Sequence, residues 1–174
     1  NHRSFQSVEV WSPQRNSWRV CSRFREARSY HAGGVVGGSL VITGGIAGNW
    51  DRLASAEAFS PATGWTSLPP MPHGTAFATA VVLGGRLYVA GGSDCDKLQM
   101  WDGTAWTLKA DLPAERFGAA SVAVDGKMWV IGGFVQVGPP EYLSVTDSVI
   151  IYDPDTDSWT TGVPLLSPRC ACEA

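Results

Sequence analysis

Three arginines, Arg28, Arg116 and Arg169, each stand ten residues after a tryptophan, namely Trp18, Trp106 and Trp159. A guanidinium presents a planar fork of donors that matches carboxylate or phosphate oxygens two at a time, so arginines at one repeated position read as a site for acidic groups on a peptide. The same spacing has a structural reading, in which each guanidinium hydrogen-bonds a neighbouring part of the scaffold. Trp50 and Tyr142 stand outside any regular pattern. On loops they read as anchors for a partner or as side chains tucked against their own scaffold.

Catalytic and metal chemistry find less support. Copper needs several convergent imidazoles or phenolates, and the chain has three histidines, His2, His31 and His73. Cys21, Cys95, Cys170 and Cys172 sit at irregular spacing, which is no disulfide framework and favours a cytoplasmic setting. Cys170 and Cys172 form a Cys-x-Cys pair without a second pair at zinc-ligand spacing, so two reduced thiols are expected. No Ser-His-Asp set, phosphate-cradling glycine loop or paired carboxylates occur at an interpretable spacing. No catalytic residue, metal or cofactor is expected.

The elements that position these residues follow from a repeat. Gly44-Gly45, Gly91-Gly92 and Gly132-Gly133 each end an apolar run, and Trp18 to Gly44, Trp65 to Gly91 and Trp106 to Gly132 are each 26 residues apart. The return from glycine pair to next tryptophan varies, at 21, 15 and 27 residues. One segment is rigid and the other absorbs insertions, as in a scaffold with variable loops. Gly37-Gly38, Gly84-Gly85 and Asp125-Gly126 tolerate the positive φ of tight hairpin turns. A second hairpin leads through a polar turn to each tryptophan, as in Val149-Ile150-Ile151-Tyr152 before Trp159. Four short strands per unit is the arithmetic of a propeller blade.

With its double glycines, the Tyr152-Asp153-Pro154 turn with Ser158-Trp159, and Trp129-Val130-Ile131-Gly132-Gly133, the chain resembles the kelch family along nearly its whole length. It departs from that pattern at Thr75, where arginine is expected, at the shortened turn Trp101-Asp102-Gly103, and at Trp11 and Phe59 in place of tyrosine. The expected fold is all-β: a partial β-propeller of four-stranded antiparallel blades, three full and one half. The boundaries are an outer half-blade at 1–22, blades at 23–69, 70–110 and 111–163, and the start of another at 164–174. A closed ring needs about 4 to 8 blades, so the chain reads as part of a larger propeller whose remaining blades are in a parent chain.

The loops at 46–53, 93–97 and 134–146 share one rim with the inter-blade loops at 23–28, 70–75, 112–116 and 164–169, because an antiparallel pair starts and ends together. The resemblance to kelch adaptors of ubiquitin ligases implies that the arginine slot, the residue after it and the residue after the double glycine grip an acidic degron. Here these are Arg28, Ser29, Ile46, Ser93, Arg116, Phe117, Phe134, Arg169 and Cys170. The tryptophans at fixed phase, Trp18, Trp65, Trp106 and Trp159, are assigned to packing between blades.

The net charge is -3 without a run of like charges, and no apolar stretch approaches a membrane span. The N-terminus lacks the features of a signal peptide. A protein or acidic peptide is therefore the expected partner, with neither nucleic acid nor membrane. The leading expectation is a protein-interaction module that recognises peptides or substrates as ubiquitin-ligase adaptors do. The alternatives are a structural or cytoskeletal scaffold and part of an enzyme resembling galactose oxidase.

Overall fold

The computed structural model describes residues 5–138 and 142–171. His2 and Cys172 therefore lie outside the described residues, as does part of the 134–146 segment. The chain opens with a two-stranded antiparallel ribbon, β1 (Glu9–Ser12) and β2 (Ser17–Val20). The first full blade is β3 (Ala32–Val36), β4 (Ser39–Thr43), β5 (Ala56–Ser60) and β6 (Gly64–Leu68). The second is β7 (Thr79–Leu83), β8 (Arg86–Ala90), β9 (Leu98–Trp101) and β10 (Trp106–Lys109).

A short strand, β11 (Arg116–Phe117), precedes β12 (Ala120–Val124) and β13 (Lys127–Ile131). An inserted hairpin, β14 (Phe134–Val137) and β15 (Tyr142–Val145), comes before β16 (Val149–Asp153) and β17 (Ser158–Thr161) complete the third blade. Every pairing is antiparallel, and the turns at Gly37-Gly38 and Gly84-Gly85 join neighbouring strands as their sequence requires.

The core lies between blades, not within them. Side chains alternate across β8, so Leu87 and Val89 enter the layer facing the first blade, with Ala32, Val41 and Met71. Tyr88 and Ala90 enter the layer facing the third, with Met128, Val130 and Tyr152. A strand buried on both faces cannot alternate apolar with polar, which is why Leu87 to Ala90 is a continuous apolar run. The innermost strands approach closely. Thr79 Oγ1 donates to Ser121 Oγ at 2.6 Å across β7 and β12. A Cβ on Gly34 would lie 2.6 Å from Val82, so the small residues of β3 are a packing requirement.

Two repeated contacts set the blade-to-blade geometry. The indole Nε1 of Trp65, Trp106 and Trp159 donates to the carbonyls of Ser22, Pro69 and Ala110, each at 2.9 Å and each four residues past the preceding tryptophan. The second glycine of each pair donates its N–H to the backbone carbonyl of the arginine slot one blade on: Gly45 to Thr75, Gly92 to Arg116 and Gly133 to Arg169, at 2.7–2.8 Å. Gly132 has φ 63° and a Cβ there would sit 2.3 Å from the Arg169 oxygen, so no other residue fits.

Candidate functional site

The arginine slot is built inward. Arg28 is 2% exposed, and its Nη1 donates to the carbonyls of Gly44 at 2.7 Å and Ser55 at 3.2 Å. Its Nη2 donates to Ser55 Oγ and to Glu57 Oε1 at 2.9 Å. Glu57, itself buried, also accepts the backbone N–H groups of Arg25 and Glu26. Arg116 repeats this arrangement at 6% exposure, donating to Gly132 O at 2.7 Å, Ser148 O at 3.1 Å and Ser148 Oγ at 2.7 Å. Ile150 stands where Glu57 stands, so Arg116 has no carboxylate at that position, and desolvation lowers its pKa.

The second blade replaces both members of the pair. Thr75 Oγ1 donates to Gly91 O at 2.7 Å, the carbonyl that an arginine would reach. Gln99 takes the Glu57 position, accepting the His73 N–H at 2.8 Å and donating to the His73 carbonyl at 3.0 Å. Charged and neutral versions do the same work because both satisfy buried carbonyls at the rim.

These contacts correct the expectation of a guanidinium ring at the channel mouth. Arg28 and Arg116 are buried, and the Nη groups of both bond acceptors of their own blades. At the third slot, the Arg169 backbone receives the Gly133 N–H and donates to Thr146 O at 3.2 Å, and the position sixteen residues on falls beyond the sequence. Ile46 is also corrected, being 4% exposed and part of the core.

The other slots meet in pairs. Ser29 and Ile46 exchange both backbone hydrogen bonds, Ser93 N–H donates to Ala76 O at 2.9 Å, and Phe117 pairs with Phe134 across β11 and β14. The residue after the arginine slot thus always lies beside the residue after the double glycine. Cys170 is half-buried and free.

The rim also has features not anticipated. Tyr30, Phe77, Gly118 and Ala171, each two residues after the slot, all have φ between 49° and 60°. The last three amides donate to the carbonyl of the equivalent residue one blade earlier: Phe77 to Tyr30, Gly118 to Phe77 and Ala171 to Gly118, at 2.8–3.1 Å. This turn brings the Tyr30 and Phe77 rings into a stack with centroids 4.0 Å apart. Phe77 meets Phe117 edge-on at 6.3 Å, and Phe117 stacks on Phe134 at 5.1 Å. Four rings therefore run across three blades. Aligning the repeats on the arginine slot places Tyr30 and Phe77 in one register, a signal that was available in the sequence.

The segment after Gly133, expected as a loop, is the β14–β15 hairpin, anchored by β11 on the rim. Tyr142 at its tip is 64% exposed, with Leu143 beside it at 59%. Trp50 is 61% exposed at φ 69°, on a turn closed by Trp50 N–H to Ala47 O and Ala47 N–H to Asp51 O. The Arg52 guanidinium bonds Asp94, tying this loop to the one on the next blade.

Stacked four-stranded blades joined through double glycines and tryptophans define a β-propeller of kelch type. A family model described as the Kelch motif matches residues 27–72 and 115–166, more than half of the chain, and the chain belongs to the kelch family. Among its relatives, alpha-scruin of Limulus polyphemus is 27% identical over 177 residues, covering 94% of this chain and 19% of that protein. Kelch-like protein 35 of Mus musculus is 26% identical over 179 residues, covering 98% of this chain and 29% of the relative. Kelch-like protein 23 of Homo sapiens is 27% identical over 184 residues, 100% of this chain and 31% of the relative. The chain thus spans less than a third of each of these proteins. The solved structure of YjhT superposes with a TM-score of 0.84 at 16% identity, covering 97% of this chain and 65% of the other, and shows the shared fold.

Proposed function

We propose that the chain is a protein-binding module and that its site is the loop-bearing rim. The observation that carries this is the four-ring row from Tyr30 to Phe134, flanked by the exposed Trp50 and by the Tyr142 tip of the β14–β15 hairpin. Aromatic side chains offer large contact area with few rotatable bonds, which is why binding energy concentrates on them. Ser29 and Ser93 supply polar groups at the edge of the same surface.

Of the roles that kelch proteins fill, peptide or substrate recognition of the ubiquitin-ligase adaptor type fits a rim whose loops differ from blade to blade better than a repetitive scaffold surface does. A scaffold contact would be expected to reuse the same side chains on each blade. Burial of Arg28 and Arg116 withdraws the support for an acidic peptide held by a guanidinium ring. No residue is assigned a catalytic role. The free thiols of Cys21, Cys95 and Cys170 favour a cytoplasmic setting. No helix among the described residues is long and apolar enough to cross a membrane.

The test is enrichment of partners on the immobilised intact protein, compared with the same protein carrying Trp50→Ala and Tyr142→Ala. Both side chains are largely exposed, so the variant should melt with the wild type. Affinity for any specific partner should fall by about 1–3 kcal/mol. Unchanged affinity would remove the rim as the site.

A further inference from the structure

The β14–β15 hairpin has no counterpart of its length in the other two blades. After Gly45 the first blade makes only the Ser29–Ile46–Arg52 bridges, and after Gly92 the second makes a turn at Ser93 and Asp94. The third blade closes without it, because β12, β13, β16 and β17 pair with one another and the hairpin forms a separate sheet with β11. An element that the scaffold can omit is where recognition is carried.

In that sheet the order is β11, β14, β15, so β15 is an edge and among the described strands pairs with β14 alone. The register fixes which backbone groups are left over. Thr146 N–H donates to Gly133 O at 3.0 Å, and bonded pairs alternate along an antiparallel ladder, so Ser144 and Tyr142 also turn their backbone groups to β14. The N–H and C=O groups of Leu143 and Val145 therefore point away from it. Ser144 Oγ reaches the Val145 oxygen only at 3.4 Å, which leaves that acceptor open to a better donor.

Edge strands are commonly closed to newcomers by a lysine, a proline or a bulge. Tyr142-Leu143-Ser144-Val145 has none of these. Its pairing with β14 is uninterrupted, Tyr142 is 64% and Leu143 59% exposed, and neither strand carries a side chain charged at neutral pH.

We propose that the edge of β15 receives an extended, uncharged segment of the protein partner as an added strand. Backbone bonds to Leu143 and Val145 hold it, and its side chains alternate between the face of Leu143 and Val145, which suits apolar groups, and that of Tyr142 and Ser144. A second copy pairing through the same four residues would bury well under the roughly 1,200 Å² of a stable interface, so the edge is assigned to a partner that also touches the rim. The inference rests on the protein-binding role proposed above and names how the partner is held.

The probe is a blocked hexapeptide alternating valine with threonine, added to the isotope-labelled intact protein, with its fully N-methylated form as control. In the free protein the Leu143 and Val145 amides should exchange with solvent about tenfold faster than that of Ser144. The peptide should slow both by about tenfold, and the N-methylated form should not. Leu143→Pro removes an outward N–H that β14 does not use, whereas Leu143→Ala removes the side chain alone. The proline variant should bind the peptide about five- to tenfold more weakly than the alanine variant. Protection at Ser144 reports that the hairpin stays paired; where the proline variant loses it, the N-methylated control decides. Slow exchange at Leu143 and Val145 before any peptide is added, whether or not dilution relieves it as it would between copies, overturns the proposal, and so does equal binding of the two peptides. Loss of partner capture in the Trp50→Ala/Tyr142→Ala protein, with no protection by the peptide, would leave the rim as a protein site and reject the added strand. Protection by the peptide, with capture unaffected by that double variant, would keep the added strand and reject the aromatic rim.

Discussion

The Arg116 guanidinium donates through Nη1 to the carbonyl oxygen of Gly132 at 2.7 Å, closing a contact between residues sixteen apart in sequence. The same distance and separation join Arg28 to Gly44. The arginine slot is therefore a strut that ties the entry of each blade to the end of its second strand. Arg116→Ala should leave the carbonyls of Gly132 and Ser148 without their partner and cost about 2–4 kcal/mol of stability. Chemical denaturation of the two proteins measures this, and partner affinity per folded molecule should stay at the wild-type value. Loss of affinity with unchanged stability would restore the arginines to the binding site.

Trp65 is buried against Phe59 of the first blade and the segment after β2, with Phe24 edge-on at 4.7 Å and its indole N–H on Ser22 O. Trp65→Ala removes both the packing and the inter-blade hydrogen bond, and should destabilise the chain by about 3–5 kcal/mol. A shift in the thermal midpoint of only a degree or two would show that the Trp65 contacts with Ser22 and Phe24 contribute little to stability.

Gly132→Ala places a methyl against the Arg169 carbonyl and asks an alanine to hold φ 63°. The expected cost is about 2–4 kcal/mol from strain and crowding together. Gly126→Ala, at φ 75° in the β12–β13 turn with open space around its Cβ, carries the conformational part alone. The difference between the two variants, read from denaturation midpoints, isolates the inter-blade contact.

Asp102 caps the shortened outer turn of the second blade, accepting from Thr104 N–H at 2.7 Å, Thr104 Oγ1 at 2.8 Å and Ala105 N–H at 2.8 Å. The backbone N–H of Ala105 and the two Thr104 donors hold its carboxyl at about 2, below the ordinary 3.8. A depressed folded-state pKa means that the unfolded chain binds the proton first as pH falls. The contribution is therefore complete above the ordinary value and is lost between about 3.8 and about 2. Carboxyl titration by NMR should follow that lower value, and Asp102→Asn should lose the corresponding part of the acid-dependent change in stability.

Much of the architecture was legible in the residues. The constant spacing from tryptophan to double glycine marks the inner hairpin of each blade, and Gly37-Gly38, Gly84-Gly85 and Asp125-Gly126 mark its turn, because positive φ and tight reversal restrict the residue types allowed. The β14–β15 hairpin was not legible. Its strand Phe134-Val135-Gln136-Val137 is short, and its pairing with Arg116-Phe117 depends on a segment 17 or more residues away that only the blade brings alongside. Tyr30 and Phe77 were in register in the sequence, but nothing there showed that a left-handed turn would stack their rings.

The sequence by itself determined where the arginines, glycines and tryptophans recur, since covalent spacing and backbone geometry are local properties. It left open whether a guanidinium at the repeated slot faces a ligand or the scaffold, since either use is compatible with the same spacing. Tertiary structure decided that. Closing each blade brings the carbonyls of Gly44 and Gly132 within hydrogen-bonding distance of Arg28 and Arg116, in a place that water does not reach. A buried carbonyl without a donor is costly enough that the arginines turn inward, leaving the aromatic row from Tyr30 to Phe134 across the rim.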